Sequence, residues 1–249
     1  MPQTYKRPPI IEAAIEVRFK DPVTMLVVDR LRDRLLPRFP ACETVTEFAF
    51  DISALSTGPT QVQSNVHSYR MTSSTGTEIV VIGAQTALFS RLAPYPGWDS
   101  FRDEARKLWN MHRKIAGVSG VSRIGMRYVN RLDVPANNQP GIQVEDYLRI
   151  YSEYPDWEIG KPSHFSCQMM AAEEGGPFGV VINTASTPSP VPGCLGLLVD
   201  IDVSRTQSVF HSERSLREVL EDMRTEKNRL FEIAITDKTR AILNDEGDI

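Results

Sequence analysis

The sequence predicts an α+β fold: one or two antiparallel sheets with helices packed on one side, built from two pseudo-repeated β-α-β(n)-α halves in a saddle-like or helix-grip-like arrangement. Three observations lead there. The run IIEAAIEVRF, residues 10–19, alternates with a period of two. Residues 44–92 carry four short strand-like runs punctuated by turn residues, and consecutive short strands pair as a meander. A strand, a short helix, three strands and a long helix then repeat the same order more loosely.

Each element has its own signal. In the first strand Ile11, Ala13, Ile15, Val17 and Phe19 share a face, and Glu12, Ala14, Glu16 and Arg18 share the other. Asp21 before Pro22 predicts a helix start, because the carboxylate caps free N–H groups and proline needs no donor at the first helical position. That helix runs to Leu36 and stops near Pro37. The runs TVTEFAFDI, VHSYRMTSS, TEIVVIG and ALFSRL are the four meander strands. After PYPGW, the residues Trp98, Phe101, Ala105, Leu108, Trp109, His112 and Ile115 recur at three and four, and Gly117 closes the helix.

The second half opens with a strand over 121–134 and a short helix around VEDYLRIY. Strands HFSCQMMA, FGVVINTA and LGLLVDIDV come next, then a long helix from Ser212 through Phe231. Laying IIEAAIEVRFKDP over IGMRYVNRLDVP preserves the apolar phase, which makes an internal duplication plausible. The halves divide at residues 118 and 119 and are expected to pack as one compact unit. TPSPVPGC, residues 187–194, is the clearest loop, Glu173 and Glu174 precede a Gly-Gly hairpin turn, and the acidic tail NDEGDI is expected to fray.

Composition bounds the function. With 249 residues, 41% hydrophobic and 24% charged, the chain has ordinary globular composition. No apolar run reaches the roughly 20 residues that span a bilayer, and the N-terminus lacks the apolar core of a signal peptide, so no membrane association and a cytoplasmic location are expected. Cys42, Cys167 and Cys194 form no CxxC pair, and His67, His112, His164 and His211 show no metal-ligand spacing. No metal or other cofactor is therefore expected. The net charge of −4 argues against a general polyanion binder. Yet the charge is segregated: residues 101–131 carry eight Lys and Arg against two acids, and residues 132–202 carry two against ten.

The stretch RIGMRYVNR concentrates that basic charge. Arg123, Arg127 and Arg131 fall on one strand face with Gly125 and Val129, opposite Ile124, Met126, Tyr128, Asn130 and Leu132. Two readings compete. Should the first strands of the two halves pair at the centre of one sheet, Glu12 and Glu16 would lie within reach of Arg127 and Arg131, as cross-strand ion pairs contributing about 0.2–1 kcal/mol each. Alternatively the guanidiniums hold a phosphate or carboxylate of a ligand or partner bidentately. The ion pairs are favoured, because acidic partners are plentiful in the same chain.

Other candidates are weaker. Asp200 and Asp202 share a strand face and suit a divalent cation, but the arginine stripe is their more natural partner. No Walker loop, GxGxxG or GxSxG occurs, and His164 and Cys167 fall on opposite strand faces, so no catalytic residue is assigned. Tyr95 and Trp98 in PYPGW are read as packing at a helix start. Arg102, Arg106 and Arg113 cluster on one helix face, interrupted by Asp103 and Glu104.

YKRPPIIEAAIEVRF, APYPGWDSF, VSRIGMRYVNRLDVP and FEIAITDKTRAIL occur in that order along the chain. In this combination the chain resembles a sporadically distributed bacterial protein family of similar length. The resemblance implies a bacterial source and a patchy distribution typical of mobile or defence-associated genes, and it supplies no catalytic residues. The leading expectation is a non-enzymatic binding module for a protein partner, in a defence or toxin–antitoxin setting. A nucleic-acid binder using the arginine strand, and an enzyme or small-anion receptor centred on the same arginines, are the alternatives.

Overall fold

A computed structural model of the protein describes residues 5–47, 66–117, 120–136, 143–153, 164–172, 176–206, 209 and 213–245. The elements are β1 (Ile10–Phe19), α1 (Met25–Leu35), β2 (Ala41–Glu47), β3 (Val66–Thr72), β4 (Glu78–Gly83), β5 (Thr86–Leu92), α2 (Trp98–Ala116), β6 (Val121–Pro135), β7 (Ser166–Ala172), β8 (Gly179–Pro188), β9 (Cys194–Arg205), α3 (Glu213–Ala234) and α4 (Asp237–Asn244). The fold is α+β, with one antiparallel nine-stranded sheet in the order β2-β3-β4-β5-β1-β6-β9-β8-β7 and the helices on one side. The chain forms two compact units: the first is Met1–Ala14, Ala93–Tyr95 and Gly125–Ile249, the second Ile15–Leu92 and Pro96–Ile124. Strands β1 and β6 each give one part to either unit.

In the second unit β2 to β5 form the meander, each strand pairing antiparallel with the next. Helix α1 packs on β4 and α2 on β5. The stripe Trp98, Phe101, Ala105, Leu108, Trp109 and His112 is buried, as its three-and-four spacing requires. Burying each large apolar side chain of that stripe contributes about 1.5–3 kcal/mol. At the end of α2 the chain turns at Gly117 with φ of 84°, which a side chain would strain, and its N–H bonds Arg113 O.

Helix α1 begins later than Asp21-Pro22 predicts, at Met25 after Thr24. The preceding backbone is committed to the sheet: Lys20 N–H donates to Gly120 O and Val23 N–H to Ala84 O, so these residues are held out of a helical turn. Strand β2 covers the start of the predicted run 44–52, and residues 48–52 lie outside the described residues.

In the first unit β9 buries Leu197, Val199, Ile201 and Val203 on one face, and α3 packs on this strand. Helix α3 answers with Leu216, Leu220, Met223, Leu230 and Ala234. The predicted helix around VEDYLRIY is a single 3-10 turn over Val144–Asp146. Residues 147–149 pair with the chain leaving α3 instead: Leu148 bridges Ile235, Arg149 N–H bonds Ala234 O and Thr236 N–H bonds Tyr147 O. Helix α4 then starts at Thr236, whose hydroxyl accepts the N–H of Thr239.

The start of β1 lies beside the end of β6 in the first unit, where Arg131 N–H donates to Pro9 O at 2.9 Å. Glu173, Glu174 and Gly175, and the tail after Asp245, lie outside the described residues. No helix among the described residues is long and apolar enough to cross a membrane.

Candidate functional site

Strand β6 sorts its side chains as a period of two demands. Ile124, Met126, Tyr128, Asn130, Leu132 and Val134 are buried, and buried Asn130 satisfies its amide by donating to Val199 O at 3.0 Å. The arginines alternate with these residues, so in the first unit Arg127 and Arg131 point away from α3.

Arg127 lies at one end of a polar row that runs across four strands. Its Nε and Nη2 donate to Asp200 Oδ1 and Oδ2 at 2.8 and 2.9 Å, a bidentate pair. Asn183 Nδ2 donates to Asp200 Oδ2 at 3.0 Å, and Gln168 Nε2 donates to Asn183 Oδ1 at 2.7 Å. Gln168, Asn183 and Asp200 are direct cross-strand partners on β7, β8 and β9, so strand register alone sets them in line. Asp200 is only 7% exposed, and three N–H donors offset the cost of keeping a carboxylate there. The hydrogen bonds to Asp200 raise the Arg127 pKa above its ordinary value, against the opposing effect of burial, with Glu12 and Asp202 adding further negative charge.

The other two arginines have different partners. Arg131 Nε donates to Asp133 on the same strand at 3.1 Å, and Ser189 Oγ donates to Asp133 at 2.7 Å. In the second unit Arg123 Nη1 donates to Glu16 Oε2, and Arg18 Nε reaches Glu16 Oε1 at 3.1 Å. Glu16 therefore pairs with Arg123, where the sequence pointed to Arg127 or Arg131. The difference lies in strand order: β6 has β9 as its second neighbour, and Asp200 and Asp133 meet Arg127 and Arg131 from there and from β6 itself.

The weaker candidates separate. Tyr95 bonds its hydroxyl to that of Tyr128 at 2.9 Å in the first unit, whereas Trp98 is buried against Phe101 in the second. Arg102 pairs with Asp99 and Asp103, and Lys107 with Glu104. Among the described residues no group of three or more His, Cys, Asp or Glu side chains is placed to hold a metal ion. A cavity of about 480 Å³ opens elsewhere in the first unit, lined by Pro135, Tyr147, Lys238, Ala241, Ile242 and Asn244. Asn183 and Gln168 are residues that sequence reasoning misses. Their signal is a polar residue in phase with Asp200 on each preceding strand, which becomes readable only once the hairpin registers are known.

The row carries an energetic prediction. Arg127→Ala leaves a nearly buried carboxylate with Asn183 as its donor, so this variant should be the costlier, at about 2 kcal/mol. Asp200→Asn frees a half-exposed guanidinium to water and should cost about 1 kcal/mol. Urea unfolding of both single variants and the double variant should give a coupling of about 1 kcal/mol. Additive losses would mean that the pair contributes nothing beyond its packing. No protein-family model and no curated protein matches this chain, so the residues themselves carry the functional argument.

Proposed function

We propose that the chain is a non-enzymatic binding module for a protein partner, engaged on the sheet face that carries the row Arg127–Asp200–Asn183–Gln168. One observation carries the reading: the polar groups of this face hydrogen-bond one another, while Val129, Val181, Ala185 and Leu198 around them stay half-buried. A surface with internally matched polar groups and partly open apolar ones resembles a protein interface, where aliphatic area and arginine are buried together. A polyanion instead needs cations that are not already neutralised, and each arginine of the strand has a carboxylate beside it. The same pairing disfavours an enzyme or small-anion receptor at these arginines, and the cavity described above is lined by other residues. The bacterial source and the defence or toxin–antitoxin setting rest on the sequence resemblance alone.

The test is purification of the tagged chain from its native host at low salt, beside a Val181→Lys variant. Asp202 lies directly opposite Val181 and gives the new ammonium a partner, so the fold should tolerate it. A stoichiometric protein that falls at least tenfold with the variant is the expected result. Nucleic acid in the preparation, read from the absorbance ratio at 260 and 280 nm, would favour the alternative. A protein retained equally by both chains would remove this face from the proposal.

A further inference from the structure

Strand β7 closes one end of the sheet. It pairs with β8 along all seven residues, Ser166–Ala172 against Ala185–Gly179, and among the described residues its other edge has no strand beside it. An unpaired edge is a template for another strand, and soluble proteins usually blunt it with charge, proline, a bulge or short length. The sequence SCQMMAA has no charge and no proline, and its register is unbroken. The strand at the other end, β2, carries Glu43 and Glu47.

Both faces of β7 show that burial runs out at this edge. On the side of α3 the cross-strand row Ile201, Ile182 and Met169 goes from 0% to 5% to 48% exposed. On the opposite face Met170, two residues beyond Gln168, is 76% exposed.

We propose that β7 pairs antiparallel with β7 of a second copy of this chain, across a twofold axis at Met169. The strand is its own complement in that register. Ser166 faces Ala172, Cys167 faces Ala171 and Gln168 faces Met170, so small residues meet at the ends and the methionines fill the middle. The apolar row continues from Ile201, Ile182 and Met169 into the same three residues of the other copy. Charge does not oppose a second copy at this edge: each chain carries a net −4, but β7 itself is uncharged, so the pairing sets no like charges against each other. The contact uses the strand edge, and it is independent of the partner proposed for the face of the sheet.

The full-length chain tests this directly. Light scattering after size exclusion should show the mass rising with concentration from 28.0 kDa toward twice that value. Met169→Lys sets two ammonium groups against each other on the axis and should weaken the dimer at least tenfold; because this side chain is half exposed, the far-UV spectrum and the thermal midpoint read at concentrations where both chains are monomeric should match the wild type. Met169→Cys should form a symmetric intermolecular disulfide under mild oxidation, since paired residues of antiparallel strands have Cα atoms about 4.5–5.5 Å apart. The wild type is its control, because Cys167 faces Ala171 in this register. A chain that stays monomeric at every concentration overturns the proposal. So does a dimer that survives Met169→Lys, or one that cross-links through Cys167 in the wild type.

Discussion

Between about pH 6.5 and about pH 4 the protein is expected to lose about 3 kcal/mol of stability through one side chain, His112. Its ring is 1% exposed and stacks on Phe19 with centroids 4.0 Å apart and planes at 7°. Neither ring nitrogen meets a hydrogen-bonding partner among the described residues. Burial without a partner pushes the pKa down from 6.5 to about 4. The unfolded chain therefore takes up the proton near pH 6.5, while the folded chain resists it until about pH 4. In that window the unfolded state holds more protons, so stability falls as the pH falls, and the loss is complete once both states are protonated.

His112→Leu separates this loss from that of the carboxylates. The variant gives up no hydrogen bond to a described residue, so at pH 7 it should be about as stable as the wild type. At pH 4.5 it should be the more stable by about 2–3 kcal/mol, measured by urea unfolding across the pH range. Two pH profiles that fall in parallel would show that His112 is not the group being protonated.

A second large effect is expected from Lys227→Met, which should raise stability at pH 7 by about 2 kcal/mol. Lys227 sits on α3 with 8% of its surface exposed, and its Nζ lies 4.0 Å from the centroid of the Tyr128 ring. Burial, reinforced by Arg224, lowers its pKa from 10.5 to about 8, against the pull of Glu232. At pH 7 the ammonium is charged in both states, and the folded state bears the cost of desolvating it. Methionine keeps the aliphatic volume without that cost, at the loss of a cation–π contact of about 1 kcal/mol. As the pH rises from about 8 toward 10.5, the unfolded chain retains the proton that the folded chain has shed, and wild-type stability should climb. The variant should lack that rise. A destabilised variant would mean that the cation's contacts outweigh its burial.

How legible each of these features is in the sequence depends on the range over which it is determined. Strand β6 and helix α2 are written in local periodicity: the alternation of residues 124–132 and the stripe from Trp98 to His112 are both buried as predicted, His112 included. Lys227 is legible in the same way, because its distance of four from Met223 puts it on the buried stripe of α3. The start of α1 is not, because the hydrogen bonds of Lys20 and Val23 reach residues far along the chain. The arginine partners depend on strand order and register, and a one-residue slip moves every side chain to the other face. The local signal thus finds the arginine face, while Asp200, Asn183 and Gln168 become a row only through long-range pairing. The similarity of the two halves is a matter of apolar phase, and the strand order by itself does not establish a duplication.

The strand order also bears on how the chain reaches its native state. On one side β2 to β5 are joined by consecutive hairpin pairings, on the other β7 to β9, and contacts so close in sequence form early at little entropic cost. The two middle strands are different, since joining Lys20 to Gly120 closes a loop of about 100 residues. Each meander is therefore expected to form first, and the pairing of β1 with β6 last. A chain still emerging from the ribosome can set β5 and α2 against β1, but the edge of β1 that β6 will pair stays open until residue 121 and beyond are made.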